Sequence, residues 1–149
     1  MPKMSVPSIP IILRKILGIG LGFWITFAPA RADPVSCDFP NQKPMLWVEL
    51  FMGLNVPHRG PVTPKEWDRF LRQVVTPRFP DGFTVYDSYG QWLNSNTKAI
   101  VREKSKTIAI AVSDDAEAQA HIAEVADAYR AQFHQLSVGV VTSHVCAAF

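Results

Sequence analysis

Two arginines fall in stretches dense with other polar residues, and arginine is the side chain best suited to grip an anion. Arg78 lies in Val75-Thr76-Pro77-Arg78-Phe79-Pro80-Asp81-Gly82, and Arg102 opens Arg102-Glu103-Lys104-Ser105-Lys106. A guanidinium forks onto a carboxylate or phosphate through two parallel hydrogen bonds. With Gln91 orienting a ligand and Tyr86 and Trp92 as an apolar wall, these residues can form a pocket for a small polar or anionic molecule. The competing role is scaffold. In it Arg78 braces the Pro-Gly turn, through Asp81 or loop carbonyls, and Arg102 pairs with Glu103 on an exposed hairpin. Such surface pairs contribute little. The sequence leaves both roles open.

Other chemistry finds less support. His58, His121, His134 and His144 have no metal-ligand spacing. His121 and His134, thirteen residues apart on one helix, would sit more than about 200° around its axis from each other. Ser88 and Ser105 lack a nucleophile elbow, and no His–Asp partner follows from spacing. Glu49 interrupts an apolar run; it faces water, or it is buried with a raised pKa. No motif calls for a cofactor or a metal.

The elements that position these residues begin with a leader. Lys3, Arg14 and Lys15 precede the apolar run Ile16 to Phe27, and Ala28-Pro29-Ala30-Arg31-Ala32 follows. A basic start, an apolar stretch and small residues spaced A-x-A describe a secretory signal peptide cleaved near Ala32. The run is short against the ~20 apolar residues of a spanning helix, so no stable membrane span is expected after cleavage. Residues 1–32 take four basic residues and no acidic ones, so the chain's +2 becomes −2 over residues 33–149. No basic surface remains to argue for nucleic acid. The expected product is one exported domain, periplasmic or secreted.

Cys37 and Cys146 are the only cysteines. In an oxidising compartment an even count reads first as a disulfide, here one that ties both ends of the domain. Lipid modification of Cys37 is the lesser alternative, because Pro34-Val35-Ser36-Cys37 lacks the usual leading leucine.

Met45 to Gly53 is almost continuously apolar and predicts a central strand, with Leu46, Val48, Leu50 and Met52 on one face. Thr63-Pro64-Lys65-Glu66 is a capping box, with Val62 and Trp67 at the staple positions. Trp67, Phe70, Leu71, Val74 and Val75 give the helix its apolar face, and Pro77 ends it at Thr76. Strands follow over 83–92 and 99–112, joined at Asn94-Ser95-Asn96, with the charged first half of the latter projecting past the core. Ser113 or Asp114 caps a second helix whose apolar face is Ala118, Ile122, Val125, Ala126, Tyr129 and Phe133. The last strand covers 137–145. The order β-α-β-β-α-β predicts an α+β, ferredoxin-like split sandwich, with strands 45–53 and 105–113 central and both helices on one face.

VELFMGL, the W-x-x-F helix, VTPRFPDGFTVYDSYGQW, REKSK and the closing HVCAAF together resemble a family of exported bacterial proteins of unknown function. The resemblance covers residues 33–149 and implies export and the late cysteine. It implies no activity, cofactor or catalytic residue. The reading that follows is a non-catalytic binding module. The alternative is a small enzyme of the dimeric α/β-barrel type, acting on a small polar or anionic ligand. In it the helix-free sheet faces, carrying Trp47, Phe51, Tyr86 and Trp92, pair in a homodimer, since those rings should not all stay wet on a monomer.

Overall fold

The computed structural model describes residues 36–149, and the expected leader over residues 1–32 lies outside them. The chain runs β1 (Lys43–Gly53), α1 (Pro64–Phe70), β2 (Thr84–Leu93), β3 (Ile100–Val112), α2 (Ala116–Phe133) and β4 (Gly139–Ala147). The four strands form one antiparallel sheet in the order β2-β3-β1-β4. This is the α+β, ferredoxin-like arrangement expected, with the two most apolar segments inside. No helix among the described residues is long and apolar enough to cross a membrane.

Alternation along the strands decides which face is covered. Leu46, Val48, Leu50 and Met52 of β1 are buried, as are Ile108 and Ile110 of β3, and they form one cluster with both helices. From α2 come Ala118, Ile122, Val125, Ala126, Tyr129 and Phe133, the six residues its periodicity predicts. Tyr129 is the hub of this core. Its ring lies 4.7 Å from Phe133, 5.1 Å from Phe70 and 6.0 Å from Trp67, centroid to centroid. Such aromatic contacts add about 0.5–1.5 kcal/mol each beyond the area they bury.

The first helix begins as its residue types dictate. Thr63 accepts from the Glu66 amide, and the Glu66 carboxylate accepts from the Thr63 amide at 2.8 Å. That amide, then the Thr63 hydroxyl, hold the Glu66 carboxyl below the usual carboxylate range. The end of the helix differs from expectation. Leu71–Val75 is a π-helical turn, closed by the Thr76 amide on the Leu71 carbonyl at 2.8 Å, and Thr76 keeps helical backbone angles despite Pro77. Two amides, those of Arg78 and Phe79, then share the Val75 carbonyl. The wide turn leaves Val75 and Phe79 both in the core. Gly82, at φ 126°, supplies the positive angle expected of the Pro-Asp-Gly turn.

Several boundaries move. The cap of α2 is Asp115, not Ser113 or Asp114: its extended backbone lets the carboxylate accept from the Ala118 amide at 2.8 Å. Asp114 instead meets His144 at 2.9 Å and Gln119 at 3.0 Å, and these hydrogen bonds, His144 first, lower its pKa. The last strand starts two residues late and runs on to Ala147, because its partner β1 begins as early as Lys43. That extension sets Cys146 opposite Pro44, where it is bonded to Cys37 with the two Cα atoms 5.6 Å apart. The expected disulfide is present.

Candidate functional site

The open face of the sheet carries Trp47, Glu49, Phe51 and Gly53 from β1 and Glu103, Ser105, Thr107 and Ala109 from β3. From β2 it takes Tyr86, Ser88, Gly90 and Trp92. The four aromatic rings assigned to this face are on it; Phe51 and Tyr86 are 41% and 46% exposed. Ser105, Thr107 and Ala109 of β3 are small, so a furrow lies between the flanking rows, and Thr107 and Ala109 are buried beneath their neighbours.

At the hairpin end this furrow deepens into a cleft of about 400 Å³. Its floor includes Gly53, Glu103 and Ser105, and Phe51, Ser88 and Trp92 stand beside them. Glu103 decides its character. Arg102-Glu103-Lys104 reads as solvated, yet Glu103 is only 8% exposed. Alternation sends Arg102 and Lys104 to one face and Glu103 and Ser105 to the other. The expected Arg102–Glu103 pair does not form, since adjacent strand residues point apart. Instead one Glu103 oxygen accepts from the Trp92 indole N–H at 2.8 Å, and the other from the Asn55 amide at 3.1 Å. Both donors come from outside β3, so the carboxylate ties the end of β1 to the hairpin.

Gly53 makes room for it. A Cβ placed on Gly53 would lie 2.6–2.7 Å from the Glu103 carboxyl atoms. Below the sheet, the Tyr129 hydroxyl donates to the Gly53 carbonyl at 2.8 Å. Burial, and then the nearby Glu103 charge, push the Tyr129 pKa well above its ordinary value. A tyrosine raised in the folded state adds stability that is intact below the unfolded pKa near 10 and is lost as pH rises beyond it. Unfolding free energy in urea should therefore fall by up to about 1.4 kcal/mol per pH unit above pH 10. Tyr129→Phe should cost about 1–2 kcal/mol at neutral pH and flatten that slope. An unchanged slope would show that Tyr129 is not the group responsible.

The arginines are placed apart. Arg78 lines a second cavity of about 680 Å³, beside Asp81, Asp115, Glu117 and His121. Its Nε donates to Glu124 at 2.8 Å and its Nη1 to the Val74 carbonyl at 2.8 Å. That cavity borders the far end of β3, at Ala109 to Ser113. Arg102 pairs in register with Gln91 at the hairpin end, roughly 23 Å along the strand at its usual rise. Gln91 and Trp92 line the Glu103 cleft, and Tyr86 lies farther along the open face, opposite Thr107. Of the five residues the structure joins only Trp92 to the carboxylate; Gln91, in register with Arg102, borders the cleft from a position whose side chain alternates to the other face, and Arg78 and Arg102 are not brought together. Among the described residues no three His, Cys, Asp or Glu side chains gather as a metal site.

A profile of a protein family of unknown function, DUF3574, matches residues 48–149, which include the cleft. The chain belongs to the DUF3574 family. No curated protein matches it. Among solved structures, a phage SAM lyase in complex with S-methyl-5'-thioadenosine is 16% identical, with a TM-score of 0.56 over 69% of this chain and 90% of that one. A phage SAM lyase in the apo state is 18% identical at a TM-score of 0.49, covering 71% of this chain and 92% of that one. CutA from Synechococcus elongatus, complexed with Bis-Tris, is 9% identical at 0.46, covering 72% and 87%. At these identities the first likeness shows a shared fold for the DUF3574 chain and no more.

Proposed function

We propose that this DUF3574 protein is an exported, non-catalytic binding module that holds a small molecule in the cleft over Glu103. The observation that carries the reading is the seated carboxylate. Each of its oxygens is held by an N–H donor, which fixes its position and suits recognition better than proton transfer. The Ser88 hydroxyl likewise pairs with the Thr107 hydroxyl at 2.9 Å. The cleft's volume falls within the range of small-molecule sites, and Trp92 and Phe51 supply apolar surface beside fixed polar atoms. Export rests on the leader's residue pattern, with the Cys37–Cys146 bridge in support.

A second reading has one observation in its favour. A phage SAM lyase bound to S-methyl-5'-thioadenosine has the same fold, so an enzyme can be built on it. In that reading a second copy covers Phe51, Tyr86 and Val141, each more than 40% exposed. A dimeric mass in solution favours it, and a strict monomer counts against it.

The test of the first reading is a fragment library followed by NMR on the oxidised domain. Hits that raise the melting temperature should move the Trp92 indole and Ser105 amide signals. Hits that cluster instead at Arg78, and vanish in Arg78→Gln, would move the site to the 77–82 loop and support an anionic ligand. Arg102→Gln reports the same for the hairpin end.

A further inference from the structure

Resting on the reading that the Glu103 cleft holds a ligand, we propose that this ligand is a small organic cation, an ammonium or a sulfonium. The argument is one of charge balance. The residues lining the cleft include no Lys, Arg or His, so Glu103 is its single formal charge. Among the described residues Glu103 takes part in none of the ion pairs, which join Arg59 to Glu66, Arg78 to Glu124, Lys106 to Asp87, Arg130 to Asp127 and His144 to Asp114. Glu103 is largely buried and both of its donors are neutral N–H groups, so the protein supplies it hydrogen bonds and no counter-charge. Each oxygen uses one acceptor position on Trp92 or Asn55 and keeps a second.

The surroundings suit an organic cation better than a metal ion. A hard divalent ion gathers six or more oxygens, and the floor here offers one carboxylate already engaged by two N–H groups. Trp92 and Phe51 line the cleft and offer apolar surface to the methyl or methylene groups of such a cation. The Ser88 and Ser105 hydroxyls can accept from an ammonium or meet a polar tail. An anion of the same size would meet the Glu103 charge at close range and is excluded.

Matched probes test this without altering the protein. The oxidised domain is titrated with choline, ethanolamine and trimethylsulfonium, and with the uncharged carbon isostere of choline, while the Trp92 indole is followed by NMR. At least one cation should saturate with a Kd on the order of 1 mM or tighter, and the isostere should bind about tenfold more weakly or worse. The three cations distinguish a quaternary ammonium, a primary ammonium and a sulfonium. Equal binding of choline and its isostere at Trp92 would overturn the cationic class while leaving the cleft as a site. If none of the three cations moves the Trp92 signal, the class is also overturned, and the fragment library separately decides whether the cleft binds anything. Glu103→Gln, where it folds, should erase the preference for charge. Where it does not fold, the comparison on the unaltered protein stands alone.

Discussion

Replacing Cys37 and Cys146 together by alanine should lower the melting temperature by more than 10 °C, the largest effect expected of any change to this domain. The bridge spans a sequence separation of 109 residues. Closing a loop of that length removes unfolded-state entropy worth about 4–5 kcal/mol, an upper figure because native strain and residual structure subtract from it. For a domain of this size each kcal/mol moves the midpoint by roughly 4 °C. The fold gives the bridge a second, local role. Cys146 sits in the edge strand β4, whose side chains from Gly139 to His144 are exposed, and the bond fastens its end to the segment that enters β1. Without it the β4 end should fray, with hydrogen exchange rising first at Val145 and Ala147. Urea unfolding with and without reductant measures the total. A loss under about 1 kcal/mol would mean that the reduced unfolded chain is already compact.

Much of this architecture is written in residue patterns with one physical solution. Leu46-x-Val48-x-Leu50-x-Met52 can bury only one face of a strand, and the six apolar residues of α2 can lie only on one stripe. The Thr63/Glu66 box fixes a helix start to the residue. Asp114 and Asp115 are chemically equal as caps; Asp115 is the one whose extended backbone aims its carboxylate at the Ala118 amide, while Asp114 is bonded to His144 of the distant β4, a partner that local pattern does not reveal. The π turn before Pro77 has no pattern that announces it, because the same residues fill an α-helical face equally well.

The site was the least legible part. A run of Arg102-Glu103-Lys104 looks solvated, and arginine draws attention as the ligand-binding residue. The usable signals were weaker: strict alternation through Glu103, Ser105 and Thr107, and glycines at positions 53 and 90 inside apparent strands. A glycine there marks a place where something approaches the backbone closely. At Gly53 what approaches is the Glu103 carboxylate from the neighbouring strand, while Gly90 meets only the Ser105 hydroxyl at ordinary distance; which of these holds depends on register, and register emerges only from the assembled sheet.

Gly53→Ala should therefore act on stability and on the cleft together. The new methyl group would stand 2.6–2.7 Å from the Glu103 carboxyl, well inside contact distance. The backbone at Gly53 has little room to yield, because its carbonyl is held from the other face by the Tyr129 hydroxyl. The carboxylate is the freer partner and should swing away. It then releases the Trp92 indole N–H and the Asn55 amide, both part-buried donors. Leaving two such donors without their charged acceptor costs about 2–4 kcal/mol, less whatever water recovers. Urea unfolding should show that loss, the Trp92 indole signal should move upfield as its hydrogen bond is lost, and the Asn55 amide should lose exchange protection. The double variant with Glu103→Ala separates the clash from the chemistry: with the carboxylate gone, Gly53→Ala should add less than about 1 kcal/mol to the cost of Glu103→Ala alone. Additive losses would show that Gly53 is required for its backbone and not for the space it leaves to Glu103.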